Sequence, residues 1–178
     1  LFLFAACWFV FSVPAQAKTL GSDLSYAFLE DPSGQISLSD VANTPDNQLN
    51  IMRSPLTMGY VDHPVWVKLT IPAEAFVEPT MWFVLRPPYL DYVMLHTRVS
   101  GQEGAFVLQQ AGDLTPVSKR PIQHRFVIFP LQQPTSGQAL DVIIRLQSTS
   151  TLILSGDLKT PAEVLESSLK SDFFWGGY

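Results

Sequence analysis

From residue 18 onward the chain alternates short apolar runs with polar breaks. In VWVKLTI (65–71), Val65, Val67, Leu69 and Ile71 share one face and Trp66, Lys68 and Thr70 the other. A period of two with one apolar face predicts a strand half-buried in a sheet. MWFVLR (81–86) is apolar on both faces and predicts a central strand. LDYVMLHT (90–97) puts Leu90, Tyr92, Met94 and His96 on one side, with Asp91, Val93, Leu95 and Thr97 on the other. SGQEG (100–104) reads as a hairpin loop and AFVLQQ (105–110) as its return strand. HRFVIFPL (124–131) and DVIIRLQ (141–147) flank the turn QQPTSGQ (132–138), and TLILSG (151–156) is the last strand. Nearer the start, DPSG (31–34) signals a turn, QISLSDVA (35–42) a short strand passing into a helical turn, and NTPDNQLN (43–50) a loop.

About eight short strands with little helix between them predict an all-β fold, an antiparallel β-sandwich or jelly roll. The prolines fall mostly at strand ends, where no ladder hydrogen bond is lost. One helix is expected at the C-terminal end. Thr160-Pro161-Ala162-Glu163 has the form of a capping box with proline at the first helical position, and Ala162, Leu165 and Leu169 follow on one face.

The first residues break the pattern. An apolar stretch from Leu1 to Val13 ends in Ala15-Gln16-Ala17, the form of a secretory signal peptide cleaved after Ala17. It is short of the ~20 apolar residues of a membrane-spanning helix, which leaves an uncleaved anchor as the lesser alternative. It lacks a starting Met and a basic leader, so the natural N-terminus is expected further upstream. Cys7 in FAAC loosely matches a lipidation box, but WFVFSV after it is an odd start for a mature domain. With Cys7 removed, no cysteine remains after the leader, and core packing alone must hold the domain together.

Composition narrows the chemistry. The 178 residues suffice for one domain with a real core. A net charge of −5 carries no electrostatic footprint for nucleic acid. There is no Gly-rich phosphate loop, HExxH, CxxC or nucleophile elbow, so neither cofactor nor metal is expected. His63, His96 and His124 lie in separate segments, without the local spacing of a zinc site. The acids lie mainly in loops and in the last helix, which argues against the facing carboxylates of a glycosidase. Binding is the better expectation. Trp66 would stack on a ligand if its face is open, and is otherwise covered by the N-terminal segment. Arg120 and Arg125 flank PIQH, placed either to grip a carboxylate or to pair with Asp91 or Asp113.

Five stretches then occur in order: AFLEDPSGQISLSDV (27–41), LTMGYVDHPVWVKLTI (56–71), RPPYLDYVMLHT (86–97), AGDLTPVSKRPIQHRFVIFPL (111–131) and VIIRLQSTSTLIL (142–154). Together they resemble the type 2 extracellular domain of bacterial seven-transmembrane receptors with diverse intracellular signalling modules (7TMR-DISM). The matching positions are Glu30, Asp31 and Gly34; Gly59, Tyr60 and Trp66; Pro88 and Asp91; Gly112, Asp113, Pro116, Arg120, Pro121 and Arg125; and Arg145 with Ser148. Val61-Asp62-His63-Pro64 departs from the usual small polar spacer, which bears on the loop beside Trp66. The resemblance implies a periplasmic jelly roll similar to carbohydrate-binding modules, tethered to the inner membrane through a downstream transmembrane bundle. It also implies a kinase or diguanylate cyclase output elsewhere in the receptor.

The expected organisation is a signal peptide (1–17), a sensor domain (18–158) and a helix leading toward a first membrane helix (159–178). The expected function is recognition of a small polar ligand, a carbohydrate or carboxylate, by a domain that is not itself an enzyme. The ligand-binding candidates are Tyr60, Trp66, Arg86, Asp91, Arg120, His124 and Arg125. Asp91 is expected to brace Arg120 or Arg125 at the rim of a groove. The alternatives are an interaction module that forms a homodimer or docks a protein, and an exported hydrolase.

Overall fold

The computed structural model describes residues 17–135 and 137–175, so the leader expected over 1–17 lies, Ala17 apart, outside the described residues. In chain order the elements are β1 (Lys18–Thr19), β2 (Tyr26–Glu30), α1 (Leu38–Asn43), β3 (Asn50–Met52), β4 (Leu56–Tyr60), β5 (Val65–Ile71), β6 (Thr80–Arg86), β7 (Tyr92–Val99), β8 (Val107–Ala111), β9 (Val127–Gln132), β10 (Leu140–Gln147), β11 (Thr151–Lys159) and α2 (Pro161–Trp175).

The strands form two antiparallel sheets. The first runs β1-β11-β6-β9, with β4 paired to the first part of β11; the second runs β3-β2-β5-β10-β7-β8. The alternation seen in the sequence decides which side chains enter the space between them. Val65, Val67, Leu69 and Ile71 of β5 and Val142, Ile144 and Leu146 of β10 meet Met81, Phe83 and Leu85 of β6 and Val127, Phe129 and Leu131 of β9. This is the core of a β-sandwich, where the inner faces of two sheets interdigitate. Smaller apolar clusters cover the outer faces. Val41 of α1 packs on Trp66 and Ile143 of the second sheet, and Val164 of α2 packs on Val84 and Ile128 of the first.

Four expectations need correction. Residues 35–37 form no strand, because Ser37 caps α1 in a reciprocal box with Asp40. Ser and Asp side chains offer the backbone partners that compete with a ladder. The early strands β1 to β4 span two to five residues each and escaped the pattern for that reason. Pro130 lies inside β9, tolerated because β9 is an edge strand, paired among the described residues with β6 alone. The stripe on α2 faces outward: Leu165 and Leu169 are exposed and Val164 makes the contact. The capping box itself is present, with Thr160 and Glu163 each accepting the other's backbone N–H.

Candidate functional site

At one end of the sandwich the chain crosses from β10 in the second sheet to β11 in the first through only Ser148, Thr149 and Ser150. So short a crossing needs a brace, and Asp91 supplies it. Asp91 is buried, and its Oδ2 accepts hydrogen bonds from both the N–H and the hydroxyl of Thr149, at 2.7 Å each. The Ser148 hydroxyl accepts the Ser150 N–H at 3.2 Å and donates to the Tyr89 carbonyl at 3.5 Å. The other side of the corner is closed by Asp113 N–H on the Leu90 carbonyl (2.7 Å) and Leu114 N–H on the Asp91 carbonyl (3.2 Å).

Beside this corner lies an open groove of about 560 Å³, lined by Tyr60, Val61, Asp62, Asp91, Tyr92, Gln147, Ser148 and Thr149. Tyr60 ends β4 just past a bulge, where the pairing with β11 shifts register between Leu152 and Ile153. A bulge bends its strand and re-aims the neighbouring side chain. Tyr60 is left 82 % exposed, and Tyr92, at the first position of β7, is 46 % exposed. The groove therefore offers two aromatic rings, an exposed carboxylate at Asp62, an amide at Gln147 and a hydroxyl at Thr149.

Of the seven expected ligand-binding residues, Tyr60 and Asp91 line this groove. Asp91 does not brace Arg120 as expected, since its carboxylate is committed to Thr149. Arg120 folds onto its own loop, donating to the carbonyls of Thr115 (3.0 Å) and Asp113 (3.3 Å). Trp66 is 4 % exposed beneath α1, and its face is not open. Its indole N–H points to the buried Asp31 carboxylate at 3.5 Å, and the Arg145 guanidinium lies 5.8 Å from its ring. Arg86, His124 and Arg125 gather elsewhere, around Phe126 on the outer face of the first sheet. Arg86 and Arg125 lie 5.4 and 5.0 Å from the Phe126 ring centre. Arg86 also pairs with Asp157 at 3.2 Å, and His124 Nε2 is 3.0 Å from the Ser168 hydroxyl of α2. The sequence reading missed Tyr92, Asp62, Gln147 and Thr149. For Tyr92 a signal existed: alternation sets it opposite the buried Val93 and Leu95, on the outer face.

Charge near the groove is arranged around His63, whose ring nitrogens lie 3.0 Å from Glu30 and 3.2 Å from Asp62. Hydrogen bonds to Glu30 first, and then to Asp62, raise its pKa above the ordinary imidazole value. A raised folded-state pKa adds stability in full below the unfolded value of ~6.5, and the gain fades as pH rises through the folded value. The unaltered chain is therefore expected to lose stability relative to His63→Gln as pH climbs from about 6 to 8. Parallel urea titrations would show it, and a difference independent of pH would disprove the coupling. Asp31 behaves in the opposite sense. Burial resists its ionisation, but hydrogen bonds from Ser33, Trp66, Ile36 and Gln35 outweigh that and hold its pKa below the usual carboxylate range. Among the described residues no cluster of three or more His, Cys, Asp or Glu is placed to hold a metal ion, and no helix is long and apolar enough to cross a membrane.

A family model described as 7TMR-DISM extracellular 2 matches residues 23–160. A solved structure described as "Structural basis for the promiscuous specificity of the carbohydrate-binding modules from the beta-sandwich super family" matches at 9 % identity with a TM-score of 0.31. That match covers 85 % of this chain and 58 % of the other, so the chain spans less than two thirds of that structure's length. No curated protein matches.

Proposed function

The chain belongs to the 7TMR-DISM extracellular 2 family, the extracellular sensory part of a membrane receptor and not its catalytic part, and from that premise we propose that the groove between Tyr60 and Tyr92 receives a carbohydrate. The observation that carries the reading is the pair of exposed tyrosines beside one braced depression. Aromatic faces suit the apolar C–H faces of a pyranose ring, while Asp62, Gln147 and Thr149 offer hydrogen-bond partners to its hydroxyls. The braced corner keeps these groups in place before the ligand arrives, which lowers the entropic cost of binding.

In this reading residues 1–17 are a leader, 18–158 the sensor on the periplasmic side of a bacterial inner membrane, and 159–178 the connection to a first membrane helix. β11 gives the signal a direct route. It begins beside the groove, where Thr151 pairs with Tyr60, and ends at Lys159, next to Thr160, which caps α2. A ligand moves such an element only as far as its affinity differs between the two receptor arrangements.

The test is a thermal-shift and calorimetric screen of neutral sugars and uronic acids. A ligand that binds only the folded chain raises its melting temperature. Tyr60→Ala and Tyr92→Ala are each expected to weaken a hit roughly tenfold, with stability changed by less than about 0.5 kcal/mol for the highly exposed Tyr60. A hit indifferent to both would remove the groove from the reading. Absence of any sugar hit would favour a protein partner at the same surface.

A further inference from the structure

The outer face of the second sheet carries a second depression, of about 440 Å³, between α1 and the connection from β7 to β8. Arg98 lines it and stands six residues from Tyr92 on β7, about 20 Å from the groove at a strand rise of ~3.3 Å per residue. The Arg98 guanidinium lies 4.3 Å from the centre of the Phe106 ring. Its Nε is buried and has no hydrogen-bond partner. The guanidinium holds its charge at any physiological pH, and a buried N–H without an acceptor is unfavourable. Asp141, its cross-strand neighbour, makes neither an ion pair nor a hydrogen bond with it, and the Asp141 Oδ1 accepts instead from the hydroxyls of Thr70 and Ser100.

We propose that this corner is a second binding site, independent of the groove, for a small organic carboxylate with an apolar body. The two terminal nitrogens of the planar guanidinium, rather than the buried Nε, present the paired N–H groups that match a carboxylate bidentately. The Phe106 ring and the side chains of Leu38 and Ala42 give the rest of the ligand an apolar wall, and Ser39 and Asn43 on α1 offer hydrogen bonds at the rim. One cation in a chain of net charge −5 suits a monoanion better than a dianionic phosphate, which draws on several donors.

The test uses the ¹⁵N-labelled chain titrated with sodium benzoate, and with benzyl alcohol as the neutral counterpart of similar shape. Benzoate is expected to shift the amides of Ser39, Asn43, Arg98 and Phe106 saturably and to leave those of Tyr60 and Thr149 in place. Benzyl alcohol is expected to bind at least roughly tenfold more weakly, and Arg98→Gln to lower benzoate affinity by a similar factor. Should Arg98→Gln not fold, Arg98→Lys serves: it keeps the charge, loses the planar fork and is expected to bind more weakly. The proposal is overturned if the four amides show no saturable shift, if benzyl alcohol matches benzoate, or if the folded Arg98 variant binds as well as the unaltered chain.

Discussion

Gly112→Ala is expected to destabilise the domain by about 3 kcal/mol or more, read as a fall in the urea midpoint at unchanged slope. Two independent effects add. Gly112 has φ +125°, a conformation that L side chains rarely adopt. A Cβ there would also sit 2.8 Å from the Asp91 carbonyl carbon and closer still to its oxygen. Both contacts are backbone, so no flexible side chain can yield. The neighbouring backbone hydrogen bonds, Asp113 to Leu90 and Leu114 to Asp91, would have to stretch for the new atom to fit. Asp113→Ala is the control. Its side chain is exposed, and the change is expected within about 0.5 kcal/mol. Equal midpoints for Gly112→Ala and the unaltered chain would mean that this corner relaxes freely.

Asp91→Ala is expected to lose about 3 kcal/mol and to abolish binding in the groove. The carboxylate accepts two short hydrogen bonds from Thr149, and bonds to charged groups each contribute about 1.5–3 kcal/mol. Without it, the Thr149 N–H is left partly buried with no acceptor, and the crossing from β10 to β11 loses its brace. Asp91→Asn keeps an acceptor oxygen and removes the charge, so it should recover part of the stability. Denaturant midpoints with affinity measured alongside separate the two roles. If Asp91→Ala keeps the midpoint and loses only affinity, Asp91 acts as a ligand contact and not as a brace.

These two residues show what the ordered motifs of the sequence were encoding. Asp91 and Arg120 are ligand-binding candidates in the sequence, and Asp31, Gly112 and Ser148 are positions of the family resemblance. The structure uses them at corners: Asp31 organises the turn at Ser33–Ile36, Arg120 ties its own loop, and Gly112 lets Asp91 approach. A polar residue needed to satisfy a buried turn looks, along the chain, the same as one that faces a ligand. Only Tyr60 and Asp91 among the expected seven reach the groove. Arg86, His124 and Arg125 meet instead around Phe126 under α2, a gathering that needs the first sheet and the helix together.

The sequence by itself determined the β-sandwich class, the faces of β5 and β7, the central place of β6, the turn at 31–34 and the capping box of α2. These depend on neighbours two to four residues away, and such spacings are written in the chain. The tertiary structure decided the rest. Residues 60–62, 91–92 and 147–149 form a groove only after β4 has paired with β11 and β7 with β10. Trp66 became core because α1, more than twenty residues earlier, lies across it. Exposure depends on what covers a face, and periodicity can assign a face without knowing its cover.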